Sequence, residues 1–149
     1  MRAARLAVLL VLVCALPAHA SKGQFGLGLI LGQPTGVTGA LEISDHTAVD
    51  GAVGLGFFND RNFYAHLEFD YYFPTLAHGD ALDLSLYLGV GGFFVAHKDA
   101  ELGARAPLGL SFDFNSVPIQ IFLEAAFLLG VAPDGYFEVR GAAGFRYYF

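Results

Sequence analysis

Tryptophan is absent from this chain of 149 residues, methionine occurs once, and the only cysteine is Cys14. Cys14 falls in an amino-terminal stretch expected to be removed, so the remaining chain has no thiol, which excludes disulfides and thiolate metal sites. Charge is also scarce. Only 15% of residues are Asp, Glu, Lys or Arg, against 55% hydrophobic, a composition too apolar for an ordinary soluble surface. Yet beyond the amino terminus no run approaches the roughly 18 uninterrupted apolar residues that a membrane helix requires. A chain this apolar without such a run crosses a bilayer, if at all, as a closed barrel of strands. Basic residues are rarer still: after residue 20 there are six Lys and Arg against fourteen Asp and Glu, a net charge of −8, and the only lysines are Lys22 and Lys98. That balance excludes nucleic acid as a partner, because binding it needs a basic face.

Glycine (19) and phenylalanine (15) are abundant. The first twenty residues read as a signal peptide: Arg2 and Arg5 give a positive start, Leu6 to Leu16 an apolar core, and Ala18-His19-Ala20 a small-x-small cleavage site. Cleavage is expected after Ala20. Cys14 follows Val13 rather than the small residue that a lipoprotein signal prefers, so no lipid anchor is expected. Residues 21–149 then form one domain.

Within that domain the apolar residues recur with period 2, the signature of strands with one greasy and one polar face. The clearest case is the last stretch, Tyr136 to Phe149. Its odd positions, Phe137, Val139, Gly141, Ala143, Phe145, Tyr147 and Phe149, are apolar or small, while the even ones include Glu138, Arg140 and Arg146. Aromatics at both ends of a greasy face suit a membrane-spanning strand. Seven earlier stretches repeat the pattern: Gln24–Gly32, Gly36–Ile43, Thr47–Phe58, a fourth after the turn Asn59-Asp60-Arg61, a fifth from Leu82 through Phe94, a sixth from Arg105 through Phe114, and Ile119–Leu129. Turn residues separate them, at Gln33-Pro34-Thr35-Gly36, Ser44-Asp45-His46, Phe73–Asp80, Asn115–Pro118 and Pro133-Asp134-Gly135. Pro107 inside the sixth is expected near a strand end or a bulge.

The fold class that follows is all-β: an eight-stranded antiparallel up-and-down transmembrane β-barrel preceded by a cleaved signal peptide. Eight is a common size for outer-membrane barrels. An even count with short hairpins leaves both termini on one side, which for an exported chain is the periplasm. The turns at 33–35, 59–61, 97–103 and 131–135 would then face outward from the cell.

The signal sequence, the eight alternating strands and the ending Phe145-x-Tyr147-x-Phe149 resemble the small outer-membrane barrels of Gram-negative bacteria, such as the OmpA and OmpX barrel domains. The opening GLGLILGQPTG and the ending FRYYF are more similar to very small, short-looped barrels known from spirochaetes and other bacteria. The resemblance implies an outer-membrane location, outer-membrane lipid as surroundings, and recognition of Phe145, Tyr147 and Phe149 by the barrel assembly machinery.

Alternation alone does not say which face points inward. A polar exterior would make a secreted, lipocalin-like barrel holding an apolar ligand, but the polar faces are rich in glycine and alanine and poor in charge. With polar inside, the lumen receives Glu42, Asp50, Glu68, Asp70, Asp83, Asp113, Glu124 and Glu138 against Arg105, Arg140 and Arg146, together with His66, the one histidine within a strand. Pairing the strands through their turns places Asp50, Asp70 and Ser85 side by side, Glu124 diagonally near Arg140, and His66 opposite Gly89. This set reads as a buried network that fills and stabilises the barrel; a narrow ion or proton pore along the acidic half is the alternative. A lipid-modifying enzyme would need a hydroxyl within hydrogen-bond reach of a histidine. The strand serines, Ser85 and Ser111, are not expected to meet His66, so no catalytic residue, cofactor or metal set is assigned. The charged loop 97–103 is the candidate contact for a surface ligand. The expectation is a monomeric barrel with a structural or surface-interaction role in the cell envelope.

Overall fold

Strand formation along this chain follows from the period-2 pattern, because every second side chain of a strand faces the same side. The structure is a computed structural model, and it describes residues 24–56, 62–96 and 98–149. The stretch read as a signal peptide, residues 21–23, Phe57, Phe58, the turn Asn59-Asp60-Arg61 and His97 lie outside the described residues.

The described residues form nine strands: β1 (Phe25–Gly32), β2 (Thr35–Ser44), β3 (Thr47–Gly56), β4 (Asn62–Tyr72), β5 (Ala77–His78), β6 (Leu82–Ala96), β7 (Glu101–Phe114), β8 (Ile119–Ala132) and β9 (Tyr136–Tyr148). Eight of them form the barrel wall. Each pairs antiparallel with its neighbours, β1 with β9 and β4 with β6 completing the circuit, so the sheet is a closed up-and-down barrel. Closure removes the unpaired edges that an open sheet would expose. The two-residue β5 is an arm outside the ring that pairs only with the start of β6, Ala77 with Leu84 and His78 with Asp83. It lies in the segment 73–80 that the sequence reads as a loop.

Local chemistry closes the hairpins. At the β1–β2 turn Gly32 has φ +123, a conformation that side-chain-bearing residues rarely adopt. Thr35 Oγ1 accepts a hydrogen bond from Gly32 N–H and donates one to Gly32 C=O, each at 3.1 Å. At the β2–β3 turn the hydroxyls of Ser44 and Thr47 meet at 2.7 Å around Asp45 and His46.

Several boundaries differ from the expected ones. Strand β7 begins at Glu101, so residues 101–103 belong to the wall, and the expected surface loop 97–103 shrinks at its carboxyl side. Pro107 sits in the middle of β7 rather than near an end. Lacking an N–H, it interrupts the ladder with β6 between the pairs Leu88–Leu108 and Gly91–Arg105 without changing the register. The strand tolerates it because β8 holds the other edge, where Pro107 pairs with Ala126.

The outer face of the wall is apolar and the inner face polar. Leu67, Val90, Val131 and Phe137 are each about two-thirds exposed, whereas Asp50, Glu68, Asp70, Arg105 and Arg146 are buried. The barrel is therefore inverted relative to a soluble one. One end of the interior is closed by packed Tyr64, Phe93, Val95 and Leu128, with Tyr136 against them. This is the end that carries the turns β1–β2, β3–β4, β6–β7 and β8–β9. The other end, which holds the start of β1 and the carboxyl-terminal residue, opens into a recess of about 430 Å³ whose lining includes Glu42, Tyr72, Asp83, Asp113 and Gln120.

Candidate functional site in the barrel interior

Two arginines organise the interior, and each reaches its partner across a glycine. Gly91 on β6 lies in register between Glu68 on β4 and Arg105 on β7. With no side chain at 91, Arg105 Nη1 spans the strand to donate to Glu68 Oε2, while its Nη2 donates to Glu124 Oε1. Gly28 on β1 lies likewise between Thr38 on β2 and Arg146 on β9. Arg146 donates across it to Thr38 Oγ1, from Nε at 3.2 Å and Nη2 at 2.9 Å, and forms an ion pair with Asp50. A third bridge has the same form. Tyr87 on β6 and Glu124 on β8 flank Gly109 on β7, and the tyrosine hydroxyl donates to Glu124 Oε2 at 2.9 Å. A Cβ at Gly109 would overlap the Tyr87 ring.

Further partners extend the group around Arg146. Arg146 Nη1 donates to Gln120 Oε1 at 3.2 Å, and its guanidinium lies 4.2 Å from the centre of the Phe122 ring, a cation–π contact. Tyr148 donates to the same Gln120 oxygen at 3.1 Å, and Gln120 Nε2 donates to Asp113 Oδ1 at 3.2 Å. Buried ion pairs held by further hydrogen bonds over-determine the positions of the strands that carry them.

The remaining sequence-predicted residues are placed unevenly. Glu42, Asp83 and Asp113 line the open recess rather than the closed interior. Arg140 does not meet Glu124. Its Nη2 donates to Glu138 Oε2 at 2.9 Å, and its guanidinium lies 5.4 Å from the Tyr64 ring centre. Arg140 and Glu124 are diagonal neighbours in register, as expected, but Glu124 is already taken by Arg105 and Tyr87. Asp50 pairs with Glu68, not Asp70, and Asp70 pairs with Gly89 rather than lying beside Ser85. His66 is opposite Phe93, not Gly89. Ser85 is thereby eight positions further along β6, roughly 26 Å at about 3.3 Å per residue, and Ser111 is its direct partner on β7. Neither serine forms a dyad with His66.

Thr38 and Gln120 belong to the network although neither carries a charge. Their signal in the sequence was only their position on the inward face of an alternating strand. The trio Asp50, His66 and Glu68 was also missed. It brings one potential ligand atom from each residue within 4.8 Å of the others, and the His66-x-Glu68 spacing, two residues apart on one strand face, was its only local trace. On the outer face Phe145 and Tyr147 are exposed, and the Tyr147 and Phe149 rings lie 5.1 Å apart. Phe149 N–H donates to Phe25 C=O at 2.9 Å, tying the last residue to the first strand.

A closed eight-stranded barrel with an apolar exterior and a cross-linked polar interior defines this protein's class. The chain belongs to the family described as Protein of unknown function (DUF3996), whose model matches residues 18–134. Among curated proteins none matches the chain.

Proposed function

We propose that the protein is an integral outer-membrane barrel with a rigid structural or surface-presenting role in the cell envelope, and that it is neither an open pore nor an enzyme. The observation that carries this reading is the apolar girdle: exposed Leu, Val, Phe and Tyr side chains occupy the outer face of every wall strand. Soluble monomers rarely leave contiguous apolar patches beyond a few hundred Å² uncovered, whereas a lipid-facing barrel requires them. The residues reading as a signal peptide, with cleavage after Ala20, and the aromatic ending Phe145-x-Tyr147-x-Phe149 support export and handling by the barrel assembly machinery. The apolar closure at one end and the salt-bridged interior argue against a wide channel. The separation of His66 from Ser85 and Ser111 argues against serine chemistry.

The test is membrane fractionation combined with gel mobility before and after boiling, followed by reconstitution into planar bilayers. The expected result is an outer-membrane protein that shifts on boiling and conducts no large steady current. Recovery as a soluble periplasmic monomer would overturn the membrane assignment. Steady nanosiemens-scale conductance would replace the closed barrel by a pore.

A further inference from the structure

The interior holds more carboxyl groups than its own cations balance. Asp50, Glu68, Asp70 and Glu124 are all buried, and the buried cations among the described residues are Arg105 and Arg146. Four carboxyl groups against two guanidiniums leaves two carboxyls without a cation of their own in a space shielded from water, where such a group must be neutralised by a proton or by another cation.

Three of the buried atoms without a hydrogen-bond partner belong to one cluster of residues. Asp50 Oδ1, His66 Nδ1 and Glu68 Oε1 are buried and lack any hydrogen-bond partner. Their three residues form the trio, in which each can bring one donor atom, the histidine by either ring nitrogen, within 4.8 Å of the others. The His66 and Glu68 side chains are 2% and 1% exposed, and His66 Nε2 points at Glu68 Oε1 from 3.8 Å, too long for a hydrogen bond. Asp70, on the same inward row of β4, has neither oxygen satisfied. The arginines take the opposite oxygens, Glu68 Oε2 and Asp50 Oδ2, and so hold both carboxylates with a free oxygen turned elsewhere. The Tyr64 and His66 rings pack edge to face, with their centres 5.7 Å apart.

We propose that Asp50, His66 and Glu68 form a binding site for one divalent first-row transition ion of the zinc or manganese type. One imidazole and two carboxylates suit such ions better than the all-oxygen shells preferred by calcium and magnesium. Donors bound to one ion at about 2.1 Å sit about 3.4 Å apart in a tetrahedral shell, so the three side chains close inward by about an ångström on loading. The ion's two positive charges would balance the two carboxyls that the arginines leave without a cation. Arg105 and Arg146 act from behind the ligands, orienting each carboxylate as outer partners of metal ligands do. The recess at the terminal end carries Glu42, Asp83 and Asp113, which attract cations to that end of the barrel, and the apolar cluster closes the other end. The site therefore holds an ion rather than passing one through. This inference concerns the interior alone and stands whichever compartment the barrel occupies.

The test uses protein purified from membranes in detergent, with His46, His78 and His97 replaced by asparagine so that loop histidines contribute nothing. After stripping with a chelator and dialysis, Zn²⁺ is titrated against a competing chromophoric chelator. The expected result is one equivalent of Zn²⁺ per chain, with at least a tenfold loss of affinity in both His66→Gln and Glu68→Gln. Binding below a tenth of an equivalent, or affinity unchanged in both variants, would overturn the site. Should the variants not fold, as judged by gel mobility without boiling, Mn²⁺ bound to the unsubstituted interior is read by pulsed electron paramagnetic resonance. Coupling to an imidazole nitrogen supports the site, and its absence overturns it.

Discussion

Replacing Arg105 with alanine removes the group that joins three strands of the wall. Its side chain is 1% exposed, and the two carboxylates it holds, on Glu68 and Glu124, are 1% and 3% exposed. Truncating one member of a buried ion pair typically costs about 3 to 5 kcal/mol, because the partner is left charged and unpaired. Here two partners are stranded, and Glu124 retains only the Tyr87 hydroxyl, so the upper part of that range applies. A loss of about 4 kcal/mol is close to a thousandfold in the folding equilibrium. Arg140→Ala is the internal comparison. That guanidinium is 17% exposed and faces a Glu138 side chain that is 42% exposed, a partly solvated pair expected to contribute about 1 kcal/mol or less. Urea unfolding in lipid vesicles measures both. The chain has no tryptophan, so the readout is far-ultraviolet circular dichroism together with gel mobility. The triple variant Arg105→Ala, Glu68→Gln, Glu124→Gln should recover part of the loss, since neutral partners are cheaper to leave buried. Equal costs for Arg105→Ala and Arg140→Ala, or no recovery in the triple variant, would refute the reasoning.

On the outer wall, Leu67→Arg at mid-β4 should cost about 2 to 4 kcal/mol in vesicles, and Leu67→Phe should be close to neutral; a tolerated arginine would show that this face does not meet lipid. Gly109→Ala should cost about 1 to 3 kcal/mol through collision with the Tyr87 ring, whereas Gly141→Ala, whose added Cβ meets nothing closer than 3.9 Å, should be neutral by the same unfolding assay.

The sequence by itself determined the eight-strand wall and which side chains share a face. Both are local properties: alternation reports strand and face, and Gly, Pro, Asn and Asp mark the turns. The inward set on β8, Gln120, Phe122, Glu124, Ala126 and Leu128, is buried in full, because each of those side chains has no choice once its neighbours face outward. Strand stagger was decided only by the closed barrel. Asp50 was expected beside Asp70 and lies beside Glu68, a slip of two residues; His66 was expected opposite Gly89 and lies opposite Phe93, a slip of four. A slip by an even number leaves every side chain on its own face, so hydrophobic patterning does not register it. Ring closure fixes the stagger through all the pairings at once. The long reaches were equally invisible in the sequence. Arg105 finds Glu68, and Arg146 finds Thr38, only because Gly91 and Gly28 fall between them in register. A glycine in a strand looks merely permissive until the chains on either side are aligned with it. The gathering of Asp50 with His66 and Glu68 depends on that same stagger, which is why the interior's chemistry belongs to the tertiary structure while its polarity belongs to the sequence.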